Sequence, residues 1–215
     1  MEVVDQTEYP IIDTRERFDN ALTSLVTECC RVWDQWTLLL GLNESIQEFG
    51  PEIYQTPHYW NMVFRAIQDT VIIRLATLLD PRKDVVSVPN ILRIIETHAP
   101  GKGSKLGIEL PDFDPSMIQE DIKRVHKLEA TVEKILTLRN KFLAHRAAAV
   151  VATHSTHLLP EILNEEITQM IDVVYETATK CAVFYGQNRT ARYVVGSDDY
   201  KAMFKALKNG FGLEE

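Results

Sequence analysis

Long apolar runs are missing from this sequence. No stretch reaches the roughly 18 residues that a membrane-spanning helix needs, and the closest, "VIIRLATLL", is broken by Arg74. Cysteine is scarce: there are 3, two of them adjacent at Cys29 and Cys30, which is no disulfide framework. Basic charge is in deficit too. With 23 Lys and Arg against 31 Asp and Glu the net charge is −8, which argues against broad, non-specific nucleic-acid binding but leaves room for a small basic site. The opening "MEVVDQTEYP" is acidic and has no apolar core, so it does not read as a signal peptide. These absences lead us to expect a cytoplasmic protein with no membrane segment.

Helical spacing dominates what is present. Phe18, Leu22, Leu25, Cys29, Val32, Trp36 and Leu39 recur at steps of three and four and predict a helix over roughly 13–41, ending near Gly41. The stripe reads as core, and the cysteine pair within it as packing. "SIQEFGPEIYQT" then reads as a connector with a Gly–Pro break. A second helix is expected from Pro57, which suits a first turn, to the residues before Pro81, which ends it. Its apolar residues fall on more than one side, as in a central helix. Arg74 within it must find a carboxylate or reach water. Candidate partners are Asp69, Asp80 or a neighbouring helix; lining a cleft is the sharper alternative.

"SVPNILRIIETH" predicts a shorter helix capped by Ser87, and "APGKGSKLGIELPDFD" a Gly- and Pro-rich linker. The linker does not match the phosphate-loop pattern G-x-x-x-x-G-K-[ST]. A third long helix is expected over 114–145, opened by Asp114 and Pro115 and striped by Ile118, Ile122, Val125, Leu128, Val132, Ile135 and Leu138. The segment 147–160 has no clear period, although Val150 and Val151 suit a short extended piece. A fourth long helix follows, capped by Asn164 and stopped by Gly186. A last one runs over 197–210, from Ser197 to Gly210, with Met203, Phe204 and Leu207 on its apolar side. No strand pattern or repeat competes. The expected fold is all-α: a four-helix bundle with additional short helices and a C-terminal helix, in one domain over 1–215. Its core spans about 10–185, with a helical extension near 196–210.

Metal and nucleophile motifs are weak. His154 and His157 in "THSTH" lack further ligands nearby, and His126, Glu129 and Glu133 read as one solvated helix side. There is no H-E-x-x-H and no G-x-S-x-G. No metal or other cofactor is expected.

"LRNKFLAHR", at the end of the third helix, is the segment with chemical content. A six-residue step on a helix turns about 600°, some 120° off register, and rises roughly 9 Å, so Arg139 and His145 do not stack on one face. Either the helix ends between them or each works with a residue from another element, and two such helix ends meeting at a twofold axis would pool two arginines and two histidines. The pooled groups suit RNA cleavage. A histidine near its reference pKa takes the proton of a ribose 2′-hydroxyl and returns one to the leaving oxygen, while arginine clamps the phosphate. Asn140 can orient a phosphate or the histidine, and Lys141 and Arg146 add local positive charge.

The segment also resembles the HEPN superfamily (higher eukaryotes and prokaryotes nucleotide-binding domain). Its ribonucleases carry an Arg, four to six further residues and a His, with a polar residue after the Arg; Arg139, Asn140 and His145 fill those places. The upstream stretch with Arg74, Leu75, Leu79, Asp80, Pro81 and Ser87 is similar to the abortive-infection Abi-U-like branch. The likeness covers roughly residues 10–185. It implies a four-helix bundle and a homodimer with the two motifs facing across a cleft. It implies toxin-like, metal-independent endoribonuclease activity on RNA, and an antitoxin or other protein partner. Some members are instead non-catalytic modules that bind protein, nucleotide or RNA. A tyrosine two positions after the His, modified by the antitoxin in some members, is replaced here by Ala147.

Overall fold

The computed structural model describes residues 12, 14–97, 115–140, 160–186 and 199–211, which hold seven helices and no strand. Helix α1 spans Arg15–Gln55, α2 Pro57–Leu78, α3 Val88–Thr97, α4 Pro115–His126, α5 Glu129–Leu138, α6 Asn164–Phe184 and α7 Asp199–Phe211.

Helix α1 starts at Thr14, whose hydroxyl accepts from the Arg17 amide at 3.2 Å. Its stripe from Phe18 to Leu39 is buried along its whole length. Neither Gly41 nor the Gly–Pro step ends it, contrary to the sequence expectation. The helix passes straight through Gly41, because the glycine is a slot: a Cβ there would stand 2.7 Å from the Tyr200 hydroxyl of α7. At the expected connector the helix only kinks, at Phe49 (φ −115°, ψ 24°), and continues with Pro51 in the renewed first turns, where a missing amide hydrogen costs little.

Three side-chain registers set the directions. Trp36 Nε1 donates to Thr168 Oγ1 at 2.9 Å, and Phe18 meets Tyr185 edge to face at 4.7 Å, so α1 and α6 run antiparallel. Arg74 of α2 pairs with Glu28 of α1 across the hairpin that turns at Thr56. Lys180 donates to Asp121 at 2.8 Å and Arg124 to Glu176 at 2.5 Å, so α4 opposes α6. The result is an up-down-up-down bundle of α1, α2, α4–α5 and α6 around one large core, with α3 packed on α4.

The third long helix is two. A tight turn at Lys127–Leu128 separates α4 from α5, with the Leu128 amide donating to Val125 and the Thr131 amide to Leu128. The apolar steps explain it. Ile122, Val125 and Leu128 are spaced by three and three, which drifts off a 3.6-residue stripe, and the turn puts Leu128 back into the core. The winding loosens to a π-type turn at Arg139–Asn140. The remaining predicted part of this helix, to His145, lies outside the described residues, as do Val150, Val151, His154 and His157.

Helix α6 is capped by its neighbour rather than by Asn164. Leu163 is the cap residue, and its amide donates to the Glu166 carboxylate at 2.8 Å, the reciprocal half of a capping box. Gly186 ends the helix with φ +76°, a conformation that glycine adopts without strain. A second, smaller core holds α7: Phe204 is fully buried, stacks on Phe49 at 5.0 Å and packs on Trp60 at 4.9 Å. The C-terminal helix therefore packs on its own bundle and runs one residue past Gly210, with Met203 of its expected apolar side left exposed. Among the described residues no helix is long and apolar enough to cross a membrane.

Candidate functional site

Helix α2 stops where Pro81 pushes the preceding residue out of helical geometry, and that residue is Asp80. Its carboxylate is 2% exposed and collects bonds from two arginines. Arg82 reaches it through its amide at 3.1 Å and its Nε at 3.0 and 3.2 Å, and Arg139 donates from Nη1 to Oδ2 at 3.0 Å. Burial pushes the Asp80 carboxyl up, but the bonds from Arg82 and Arg139 outweigh it and hold the group below the usual carboxylate range.

The loop that carries Asp80 is braced. The buried Ser87 hydroxyl donates to the Asp80 carbonyl at 2.6 Å and accepts from the Asn90 amide at 3.4 Å, as the expected cap of α3. Asn90 Nδ2 donates to the carbonyls of Lys83 (3.1 Å) and Val85 (2.8 Å), and its Oδ1 accepts from Arg93. Short polar side chains thus replace regular backbone pairing across the α2–α3 connection.

Arg139 is the residue whose sequence position raised the question of chemistry. It sits at the loosened end of α5, with its side chain 18% exposed. Its Nε donates to the neighbouring Asn140 Oδ1 at 2.9 Å, so Asn140 and Asp80 grip one guanidinium from two sides. Among the described residues those bonds use two of the five guanidinium hydrogens.

The sequence candidates therefore divide. Arg139, Asn140 and Asp80 are brought together. Arg74 goes elsewhere, to Glu28 on the neighbouring helix α1, where Arg31 also binds at 2.5 Å; neither Asp69 nor Asp80 is its partner. His145, Lys141 and Arg146 lie outside the described residues. Arg82 escapes the sequence reading because a cation in an exposed loop has no period; the only local signal for it is its place in the Asp80-Pro81-Arg82 run after an apolar helix.

The model for the HEPN AbiU2 family matches residues 15–202, which span α1, the Asp80 loop, the Arg139 segment and α6. The chain belongs to the HEPN AbiU2 family. HEPN AbiU2 membership fits the all-helical bundle and an abortive-infection, toxin-like role. No curated protein and no solved structure matches the chain.

Other features of this HEPN domain offer less chemistry. Burial pushes the Cys29 thiol up, and the Cys181 thiol to about 12, so neither is a ready nucleophile. His126 and Glu129 face each other at 3.7 Å on an open helix surface, as a solvated pair. Among the described residues no group of three or more His, Cys, Asp or Glu is placed to hold a metal ion. A mostly apolar cleft of about 270 Å³ lies between α3 and α4–α5, lined in part by Leu79, Pro81, Leu92 and Val132.

Proposed function

We propose that this chain is a toxin-like, metal-independent endoribonuclease acting as a homodimer, with Arg139, Asn140 and His145 of each protomer in a composite site. His145 removes the ribose 2′-hydroxyl proton, the freed oxygen attacks phosphorus, and a histidinium proton goes to the departing 5′-oxygen. Arg139 binds the phosphoryl oxygens as charge grows on them, and Lys141 and Arg146 hold flanking phosphates. The observation that carries the reading is the grip on Arg139. A guanidinium fixed at Nε by Asn140 and at Nη1 by Asp80 is preorganised for an oxyanion.

The same ion pair favours a second reading, in which Arg139 is a structural arginine and the HEPN dimer is a non-catalytic module that binds protein, nucleotide or RNA. Cleavage separates the two. Purified protein is incubated with mixed-sequence single-stranded RNA in excess EDTA, beside the His145→Ala and Arg139→Ala variants. Cleavage by the wild type that both variants lose supports the ribonuclease. Intact RNA with every protein leaves the binding module. Ultracentrifugation at micromolar concentration tests the shared premise, because a monomer has no composite site.

A further inference from the structure

The cleft between α3 and α4–α5 opens beside the Asp80–Arg139 pair and has no part in the cleavage scheme. It holds about 270 Å³, near the lower end of the range for small-molecule sites and suited to one flat ring system. Leu79 and Leu92, both buried, form its floor. Pro81 and Pro89 line it from the loop and α3, and Val125 and Val132 from α4 and α5, so its walls are short, stiff and aliphatic. Polar groups line it as well. Arg93 donates to Asn90 Oδ1 at 2.5 Å, Glu96 accepts from Gln119 Nε2 at 2.7 Å, and His126 and Glu129 meet at 3.7 Å. The Glu129 side chain is 81% exposed, so its carboxylate stands at the mouth. The cleft is also placed against the site. Leu79 and Pro81 flank Asp80 in the chain, and Val132 precedes Arg139 by seven residues. Seven residues make nearly two helical turns, which sets Val132 and Arg139 on almost one side of α5 with a rise of about 10 Å. A strand whose phosphate sits on Arg139 therefore has a base within reach of the cleft.

We infer that this cleft is a base-binding subsite: it takes one nucleobase of a single-stranded RNA whose adjoining phosphate lies on Arg139, and it prefers a base that carries an exocyclic amine. The inference rests on the ribonuclease reading for the strand, but not for the base chemistry. Unstacked bases are gripped between apolar side chains and read along their polar edges. The two prolines and two valines supply the grip, and Glu96 and Glu129 supply acceptors for the edge. A carboxylate accepts from the N4 amine of cytosine, and the N6 amine of adenine offers the same kind of donor. Uracil has a carbonyl oxygen in that place, which would face a carboxylate. The same two carboxylates turn away a phosphate or a fatty-acid headgroup, so neither a free phosphate nor an acyl chain is the occupant that the mouth fits.

The test has two arms, both on the full chain. In the first, adenosine, cytidine and uridine, which carry no phosphate, are titrated in while the methyl resonances of Val125 and Val132 are followed by NMR. Adenosine and cytidine should shift both sets saturably, and uridine should bind about fivefold more weakly. Val132→Phe fills the cleft and should abolish the shifts at Val125; Met203→Phe adds the same ring on the exposed side of α7 and should change nothing. Glu96→Gln with Glu129→Gln keeps the shape of the mouth and removes its charge, and should bring uridine level with adenosine; this pair carries the test even if Val132→Phe does not fold. In the second arm, mixed-sequence single-stranded RNA is cut by the wild type and the cut sites are mapped. Cuts should favour phosphates next to adenine or cytosine over uracil, and the double Gln variant should lose that bias. Nucleoside shifts without RNA cleavage keep the subsite and drop the ribonuclease. Val125 and Val132 unmoved by all three nucleosides overturn the subsite, and RNA cleavage without base bias beside that result leaves the ribonuclease standing. Uridine binding as tightly as adenosine, or shifts at Val125 that survive Val132→Phe in a folded protein, also overturn the subsite.

Discussion

Asp80 and Arg139 are 59 residues apart in the chain and 3.0 Å apart in space. Their bond ties the end of α2 to the end of α5 and fixes the arginine of the proposed cleavage motif. Asp80→Asn keeps the shape and one acceptor for the Arg82 amide but removes the charge. Both arginines reach solvent, so the cost belongs near that of a lost hydrogen bond to a charged group, about 1–3 kcal/mol, rather than that of a fully buried ion pair. In a chain of this size each kcal/mol lowers the melting temperature by roughly 2–4 °C. Urea unfolding at neutral pH measures the difference, and an unaltered midpoint would show that the carboxylate holds nothing.

The same carboxylate sets an acid limit. Asp80 is held below the usual carboxylate range once its bonds to Arg82 and Arg139 overcome burial. Glu166 is also lowered, first by the Lys134 side chain and then by the Leu163 amide. Both folded values lie below the unfolded ones of about 4. Their contribution to stability is therefore complete above that pH and drains away as pH falls through the folded values, where the unfolded chain binds more protons. Asp34 has the opposite sign: burial raises it, so its protonation in acid relieves a cost. Urea midpoints are expected to fall below pH about 4, and to fall less steeply in Asp80→Asn. Parallel acid limbs in the two proteins would remove Asp80 as a cause.

Helix α7 hangs on one ring. Phe204 is fully buried against Phe49 and Trp60, and Tyr200 lies in the slot left by Gly41. Truncating such a ring costs about 3–5 kcal/mol where the site cannot collapse. Phe204→Ala should therefore free α7 from the bundle. Amide hydrogen exchange over 199–211 would quicken strongly, while the α1 and α6 amides at Leu22 and Val174 stay protected. Uniform acceleration through the whole chain would mean that α7 and the bundle unfold as one unit.

The parts legible in the sequence are those governed by local rules. The α1 stripe repeats faithfully at helical steps, Pro57 and Pro81 bound α2, Ser87 caps α3 and Gly186 ends α6. Glycine and proline misled wherever they serve two purposes. Gly41 has the sequence look of a stop, and only the distant Tyr200 reveals a close approach; Pro51 looks like a break, and the helix resumes around it with a kink at Phe49. In the site, Arg139 and Asn140 form a recognisable motif and Asp80 reads as a candidate partner of Arg74, but nothing local says that Asp80 belongs to Arg139 and Arg82. That choice is made by the packing of α5 against α2, in which Arg74 is already drawn away to Glu28.

Ser87 carries the link between fold and site. Its hydroxyl is buried, caps α3 through the Asn90 amide and closes the loop by donating to the Asp80 carbonyl at 2.6 Å. Ser87→Ala removes the cap, worth about 1 kcal/mol, and leaves a buried carbonyl short of a donor, worth about 1–2 more. Thr14→Ala offers the comparison: it removes the exposed cap of α1, far along the chain from the loop, for about 0.5–1 kcal/mol. Both variants remain folded well below their melting temperatures, so RNA cleavage compared there separates position from stability. Ser87→Ala should cleave more slowly than Thr14→Ala, because Asp80 and the two arginines on it move with the loop. Equal rates for the two folded proteins would mean that the site keeps its geometry without the Ser87 brace, and that Asp80 is positioned by its arginines alone.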